Sequence, residues 1–263
     1  MTAALNLGVL GVAVLGPGLA DWENAASLLR EPARWQRQPT AVPAPALLPA
    51  TERRRAGLVV KASVAVADAA CRAAGLPPAG LATVFTSSTG DPANCHAMCE
   101  ALAAPERLVS PTRFTNSVHN VAAGYWHIAT QSMAASTSLG AFDASFAVGL
   151  LEAAVQCVHA AAPVLLVACD VPYPEPLHGV RPLPDTFALA LVLAPQGGRR
   201  LTVTLAGDAE PTRCGDAALE LLRGQIPAAR ALPLLQALAG PQAAVLVIEG
   251  LPQQALAIEV GAA

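Results

Sequence analysis

The stretch TSLGAFDASFAVGLLEA, residues 137–153, reads as a short strand of small residues, a turn and an apolar helix. An elbow of that kind lifts one side chain onto the tip of a helix, where an enzyme places a nucleophile. The side chain in that place is Asp143, flanked by the hydroxyls of Ser138 and Ser145. A helix N-terminus stabilises a carboxylate, but a carboxylate is a poor nucleophile. Three roles stay open for Asp143: a helix cap or first-turn acid, an anion that keeps a pocket shut or polar, and a catalytic acid or nucleophile. The sequence shows no His–acid pair that would activate either serine.

Three further groups carry reactive or polar side chains. CHAMC (95–99) sets Cys95 and Cys99 one helical turn apart with His96 beside them. Structural zinc needs four converging ligands, and no second cluster supplies them; no metal is expected. Cys95, Met98, Cys99 and Leu102 instead repeat with the three-four spacing of one helix face. His119 and His127 are eight apart, on a segment that also holds Asn116, Asn120, Tyr125 and Trp126. Polar side chains this dense in an apolar helix pair across an interface or inside the chain, and catalysis is the third option. Cys169 reads as a buried thiol and Asp170 as the start of a loop.

The elements that must position these groups alternate. LNLGVLGVAVLGPGLA (5–20) is a buried strand ending in a Gly-Pro-Gly turn, and it is broken too early to span a membrane or serve as an export signal. WQRQPTAVPAPALLPA (35–50) is an extended connection. A helix runs over 51–75, with Thr51 as N-cap and Gly75 as stop. LATVFTSST (81–89) is a strand, and Asp91-Pro92 starts a helix over 92–104. Residues 116–133 form a helix, the elbow helix runs to about Ala162, and PVLLVACDV (163–171) is a doubly covered strand. Strands over 186–195 and 199–207 meet at a hairpin marked by Gln196-Gly197-Gly198. A helix over 215–239, interrupted at Pro227 and Pro233, and a strand over 243–250 close the chain. Strands and helices alternate throughout, which makes the class α/β.

Of the 263 residues, 54% are hydrophobic and 13% charged, too little polar material to cover a free surface. A partner interface is expected. The net charge of −3 leaves no basic stripe for nucleic acid. Glu52-Arg53-Arg54-Arg55 is a solvated helix start. Six cysteines are expected as reduced thiols in the cytoplasm.

Four of these stretches, in order, resemble the N-terminal half of a β-ketoacyl synthase, a thiolase-fold condensing enzyme. They are RRRAGLVVKASVAVADAACRAAGLPPAGLATVFTSSTG, PTRFTNSVHNVAAGYWHIAT, TSLGAFDASFAVGLLEAAVQCVHAAAPVLLVACD and DTFALALVLAPQGGRRLTVTLAG. The resemblance implies a truncated thiolase-like fold, a mixed sheet covered by helices. It divides the chain into a ketosynthase-like domain over 1–210 and a short helix–strand remnant over 211–263, packed on the same domain. The family's catalytic Cys falls on Asp143, and no histidine follows His178 to supply the pair that assists decarboxylation. TSSTGDPANCHAMCEAL and SPTRFTNSVHNVAAGYWHIAT are similar to short chain-length factors of the aryl polyene type, which pair with an active ketosynthase.

The resemblance therefore implies a non-catalytic subunit without cofactor, whose partners are a ketosynthase and, through the complex, an acyl carrier protein. It places Cys95, Met98, Cys99 and Leu102 at an acyl tunnel and Asn116, His119, Asn120, Tyr125 and Trp126 at tunnel or interface. The alternatives are a stand-alone acyl-thioester transferase or hydrolase and a structural assembly subunit.

Overall fold

The computed structural model describes residues 4–263. Its centre is one eight-stranded mixed sheet in the order β3-β2-β4-β5-β1-β6-β8-β7. The strands are β1 (Leu5–Leu15), β2 (Ala82–Thr86), β3 (Ser136–Leu139), β4 (Val164–Asp170), β5 (Phe187–Ala194), β6 (Arg199–Leu205), β7 (Ala244–Leu251) and β8 (Gln254–Val260). β3, β2 and β4 are parallel to their neighbours in that trio; every other pairing is antiparallel. β4 and β5 are buried along their whole length, as their unbroken apolar runs require.

Helices cover both faces. In chain order they are α1 (Trp22–Arg30), α2 (Ala50–Arg55), α3 (Leu58–Ala74), α4 (Pro92–Ala103), α5 (Pro111–Thr115), α6 (Val121–Thr130), α7 (Ser145–Ala160), α8 (Leu177–Val180), α9 (Ala217–Gln225) and α10 (Leu232–Ala239). One core lies under α3 and α6 and holds Val60, Trp126, Leu165 and Val192. The other lies under α1, α7 and α10 and holds Phe146, Leu150, Leu166 and Leu232. Gly149 lets α7 approach the sheet closely: a Cβ there would stand 2.7 Å from Thr86 Cγ2.

Several elements differ from the sequence expectation. The helix over 51–75 is two, α2 and α3, parted at Ala56-Gly57. Thr51 lies inside α2, whose cap position is Pro49. Gly75 does stop α3, with φ of 65°. β5 and β6 form no hairpin ladder, because β1 inserts between them. Their connection crosses over Gly8, where a Cβ would overlap the Gly197 carbonyl oxygen at 1.7 Å; only glycine allows that crossing. Pro233 starts α10 rather than interrupting a helix. α1 and β8 were not anticipated, and β7 is followed by β8 rather than closing the chain.

The two sheet edges are unlike. β7 is closed at its middle: Val247 N donates to Thr212 Oγ1 at 2.9 Å, and Thr212 N donates to Val247 O at 2.9 Å. β3 is a short edge with no neighbour beyond it among the described residues. Nearby Met133 is 96% exposed and Ile128 56%.

Candidate functional site: the strand–helix elbow

β3 ends at Leu139, a 3-10 turn spans Phe142–Ala144, and α7 begins at Ser145. Ser145 makes the turn: its Oγ accepts from Ala141 N at 3.0 Å and donates to Phe142 O at 2.7 Å. That hydroxyl is committed to backbone and is buried. The strained residue of the turn is Phe142, with φ of +53° and 61% exposed. A non-glycine residue in the left-handed region costs about 1–3 kcal/mol and marks the tip of an elbow. The tip is thus one residue earlier than the sequence suggested, and neither Phe142 nor Asp143 offers a thiol.

Asp143 is a first-turn acid of the 3-10 turn, as one expectation had it, but not a cap, since neither that turn nor α7 is capped by a side chain. It bridges two guanidiniums. Arg181 Nη2 pairs with Oδ1, and Arg230 Nη2 stands 3.2 Å from Oδ2. Arg181 is held further by Tyr173 OH, which accepts from Nη1 at 2.8 Å, and it stacks over the Phe142 ring at 3.6 Å. Arg230 continues to Glu249 at 2.9 Å, and Glu249 lies 3.6 Å from Arg223. Arg223 makes a two-point pair with Glu220 at 2.7 and 2.8 Å. Those hydrogen bonds hold the Glu220 carboxyl below its usual value. The elbow is therefore fastened to the end of α8 through Arg181 and, through Arg230 and Glu249, to the 3-10 turn over Pro227–Ala231 and to β7. A cleft of about 450 Å³ opens there, lined by Ala141, Phe142, Asp143, Arg230, Glu249 and the β7–β8 turn.

Asp170 is a second surprise: it is not a loop starter but the fully buried last residue of β4. Oδ1 accepts from Ser88 N (2.8 Å), Ser88 Oγ (2.7 Å) and Ser87 Oγ (3.3 Å). Oδ2 accepts from Ala228 N at 2.9 Å. Burial pushes its carboxyl above the usual value, against the pull of those hydrogen bonds. Ser88 Oγ also meets Tyr173 OH at 3.1 Å, which links Asp170 to Arg181 and the elbow. Cys169 is buried beside it, and burial raises its thiol strongly.

The other candidates separate into exposed and interior groups. On α4, Asp91 Oδ1 caps Asn94 N at 3.0 Å and Pro92 opens the helix. Asn94 Nδ2 donates to Arg113 O at 2.8 Å, tying α4 to α5. Cys95 and Cys99 are exposed, Met98 is half-buried and Leu102 is exposed. Partial burial and the neighbouring Cys99 raise the Cys95 thiol. Leu102, Leu108, Phe114 and Val118 add an exposed apolar band over 102–118. His96 Nε2 is 3.3 Å from Glu100.

α6 starts only at Val121, so His119 and Asn120 precede it and His119 does not share a helix with His127. Residues 117–120 form a turn in which Ser117 Oγ donates to Phe114 O at 2.8 Å. His119 Nε2 faces Ser87 O at 3.2 Å. His127 Nδ1 faces Ser132 O at 3.0 Å, which makes it internal. Asn116, Tyr125 and Trp126 are interior and do not form an exposed interface. Asn116 Nδ2 donates to Arg55 O at 3.2 Å, and its Oδ1 accepts from Tyr125 OH at 3.3 Å. The sequence missed Arg181, Arg230 and Glu249, which carry no local signal.

The β-ketoacyl synthase N-terminal domain matches residues 22–248. The chain belongs to that family. Among solved structures, a chain of the complex of ketosynthase ApeO with its chain length factor ApeC from Xenorhabdus doucetiae superposes with a TM-score of 0.75 at 25% identity, covering 97% of this chain and 99% of that one. A chain of AntDE:AntF, a type II polyketide synthase ketosynthase with its acyl-carrier protein, gives 0.75 at 11% identity over 99% and 100%. A β-ketoacyl synthase from Burkholderia phymatum STM815 gives 0.59 at 14% identity over 87% and 71%. At those two identities the likeness is one of fold. No curated protein sequence matches the chain. The thiolase-like, ketosynthase N-terminal fold is thus established, and in this β-ketoacyl synthase relative the elbow reads Ala141-Phe142-Asp143-Ala144. No helix among the described residues is long and apolar enough to cross a membrane.

Proposed function

We propose that this chain is a non-catalytic chain-length-factor subunit of the cytoplasm that pairs with an active β-ketoacyl synthase and shapes its acyl tunnel in polyene or polyketide synthesis, receiving substrate from an acyl carrier protein through the complex. The elbow carries this reading. A condensing enzyme needs a thiolate at that tip, whereas here the tip is Phe142 and the next residue is an acid neutralised by two arginines. Ser145, the alternative nucleophile of a stand-alone transferase or hydrolase, spends its hydroxyl on the Phe142 carbonyl.

The pairing surface in this proposal is the β3 edge with Met133 and Ile128, extended by α4 and the apolar band over 102–118. An exposed edge strand is a template for pairing, and α4 buries only Pro92 and Asn94 within its own chain. Cys95, Met98, Cys99 and Leu102 then line the tunnel, while His119 and Asn120 stand at the interface. Residues 211–263 serve as a remnant that walls the elbow of the domain over 1–210.

Co-expression with an active β-ketoacyl synthase of the same source tests the proposal. The pair is expected to co-purify and to convert acyl and malonyl thioesters on a carrier protein, while this chain alone is inert. Turnover by the chain alone, or a monodisperse monomer that no ketosynthase binds, would overturn it.

A further inference from the structure

Two arginines converge on the elbow tip, and both are largely withdrawn from water: the side chain of Arg181 is 22% exposed and that of Arg230 12%. Guanidiniums in such places need an anion, because an unpaired buried charge is costly. Arg230 shares Glu249, at 2.9 Å. Arg181 has no such second acid: among the described residues its carboxylate partner is Asp143 alone. Tyr173 OH at 2.8 Å, the Phe142 ring at 3.6 Å and the Tyr173 ring at 5.6 Å fix the guanidinium without neutralising it.

Planar guanidiniums held from the side are a carboxylate receptor. This one is occupied by a short side chain of the elbow itself, at the edge of a cleft of about 450 Å³. We propose that Arg181 and Arg230 form a carboxylate-binding site that Asp143 fills as a built-in ligand, closing the elbow to anionic acyl groups from outside. The proposal rests on the ion-pair geometry alone and holds whether or not the chain pairs with a ketosynthase.

Removing the built-in anion while leaving the arginines tests it. The Asp143→Gly protein, purified in chloride, is titrated with sodium formate against sodium chloride at equal ionic strength, with melting temperature as readout. At a formate concentration of about ten times its Kd, the melting temperature should rise by about 3 °C over chloride. Wild type should show no formate-specific rise, since its site is full. Asp143→Asn should respond less than half as strongly, because the amide occupies the space. Equal curves in formate and chloride for Asp143→Gly would overturn the proposal. So would an equal formate response in wild type or in Asp143→Asn, which would locate the anion elsewhere. If Asp143→Gly does not fold in chloride, refolding yield in formate against chloride reads the same quantity: a several-fold rise is expected, and no rise refutes the site.

Discussion

Asp170→Asn isolates one hydrogen bond in a buried junction. Asp170 Oδ1 serves Ser87 and Ser88, and Oδ2 serves Ala228 N. An asparagine has one oxygen for both sides. Turned toward the serines, it keeps three acceptor contacts and presents its NH2 to the Ala228 N–H. Two buried donors then face each other without an acceptor. Each unsatisfied buried donor costs about 1–3 kcal/mol. The loss is partly offset because the neutral amide avoids burying a carboxylate, a cost visible in the raised carboxyl value. The net expectation is a loss of about 2–4 kcal/mol, a large part of a typical total of about 5–15 kcal/mol. It should be localised: Ala228 is the second residue of the 3-10 turn over Pro227–Ala231, which also holds Arg230. Urea unfolding gives the total, and amide exchange at Ala228 gives the location; about 2 kcal/mol corresponds to roughly thirty-fold faster exchange. The pH sense also follows. A carboxyl raised in the fold favours the folded state below its unfolded value of about 4, and that contribution fades as pH rises through the folded value. The penalty of Asp170→Asn should therefore shrink with rising pH. A change under about 0.5 kcal/mol with unaltered exchange at Ala228 would refute this account.

Glu220 should behave in the opposite sense. Its carboxyl is lowered by Arg223, so the pair stabilises above the unfolded value of about 4.3 and is lost as pH falls through the lowered folded value. Glu220→Gln should cost about 1 kcal/mol at neutral pH and nothing in strong acid, read by urea midpoints at several pH values. On β3, Leu139 O and Ala135 O face β2, so the Ser138 N–H faces outward by alternation. Ser138→Pro should leave the monomer folded by circular dichroism but abolish co-purification with the ketosynthase. On α4, Met98→Phe or Cys99→Phe should shorten the product by one or two extension units, measured by mass spectrometry of released chains. Overpacking costs about 1–3 kcal/mol, against about 0.8 kcal/mol gained per methylene buried. Unchanged product lengths across substitutions over 94–102 in an intact complex would place the ruler in the partner.

What the sequence made legible was local. The apolar runs of β4 and β5, the Asp91-Pro92 start of α4, the glycine stop of α3 and the elbow itself depend on neighbours within a few residues. What it hid depends on distance in the chain. Asp143 meets Arg181, 38 positions away, and no spacing rule joins them. β1 separates β5 from β6, although Gln196-Gly197-Gly198 is a sound hairpin signal; the deciding residue is Gly8, far upstream. Asn116 and Tyr125 looked like interface polar groups, yet each satisfies the other inside the fold. Asp170 looked like punctuation after a strand because its four donors come from two distant segments, Ser87-Ser88 and Ala228.

Thr212, seated on the middle of β7, has a consequence for how many chains can join. It consumes both main-chain groups of Val247, so β7 is interrupted at its middle, while β3 at the other end of the sheet is open. A sheet with two open edges can add neighbours without limit and grow into fibres. Here one edge is open and the other is interrupted at Val247. In the proposed pairing through β3, the interruption of β7 opposes growth from the far edge, so a chain that is 54% hydrophobic would associate as a couple rather than a fibre.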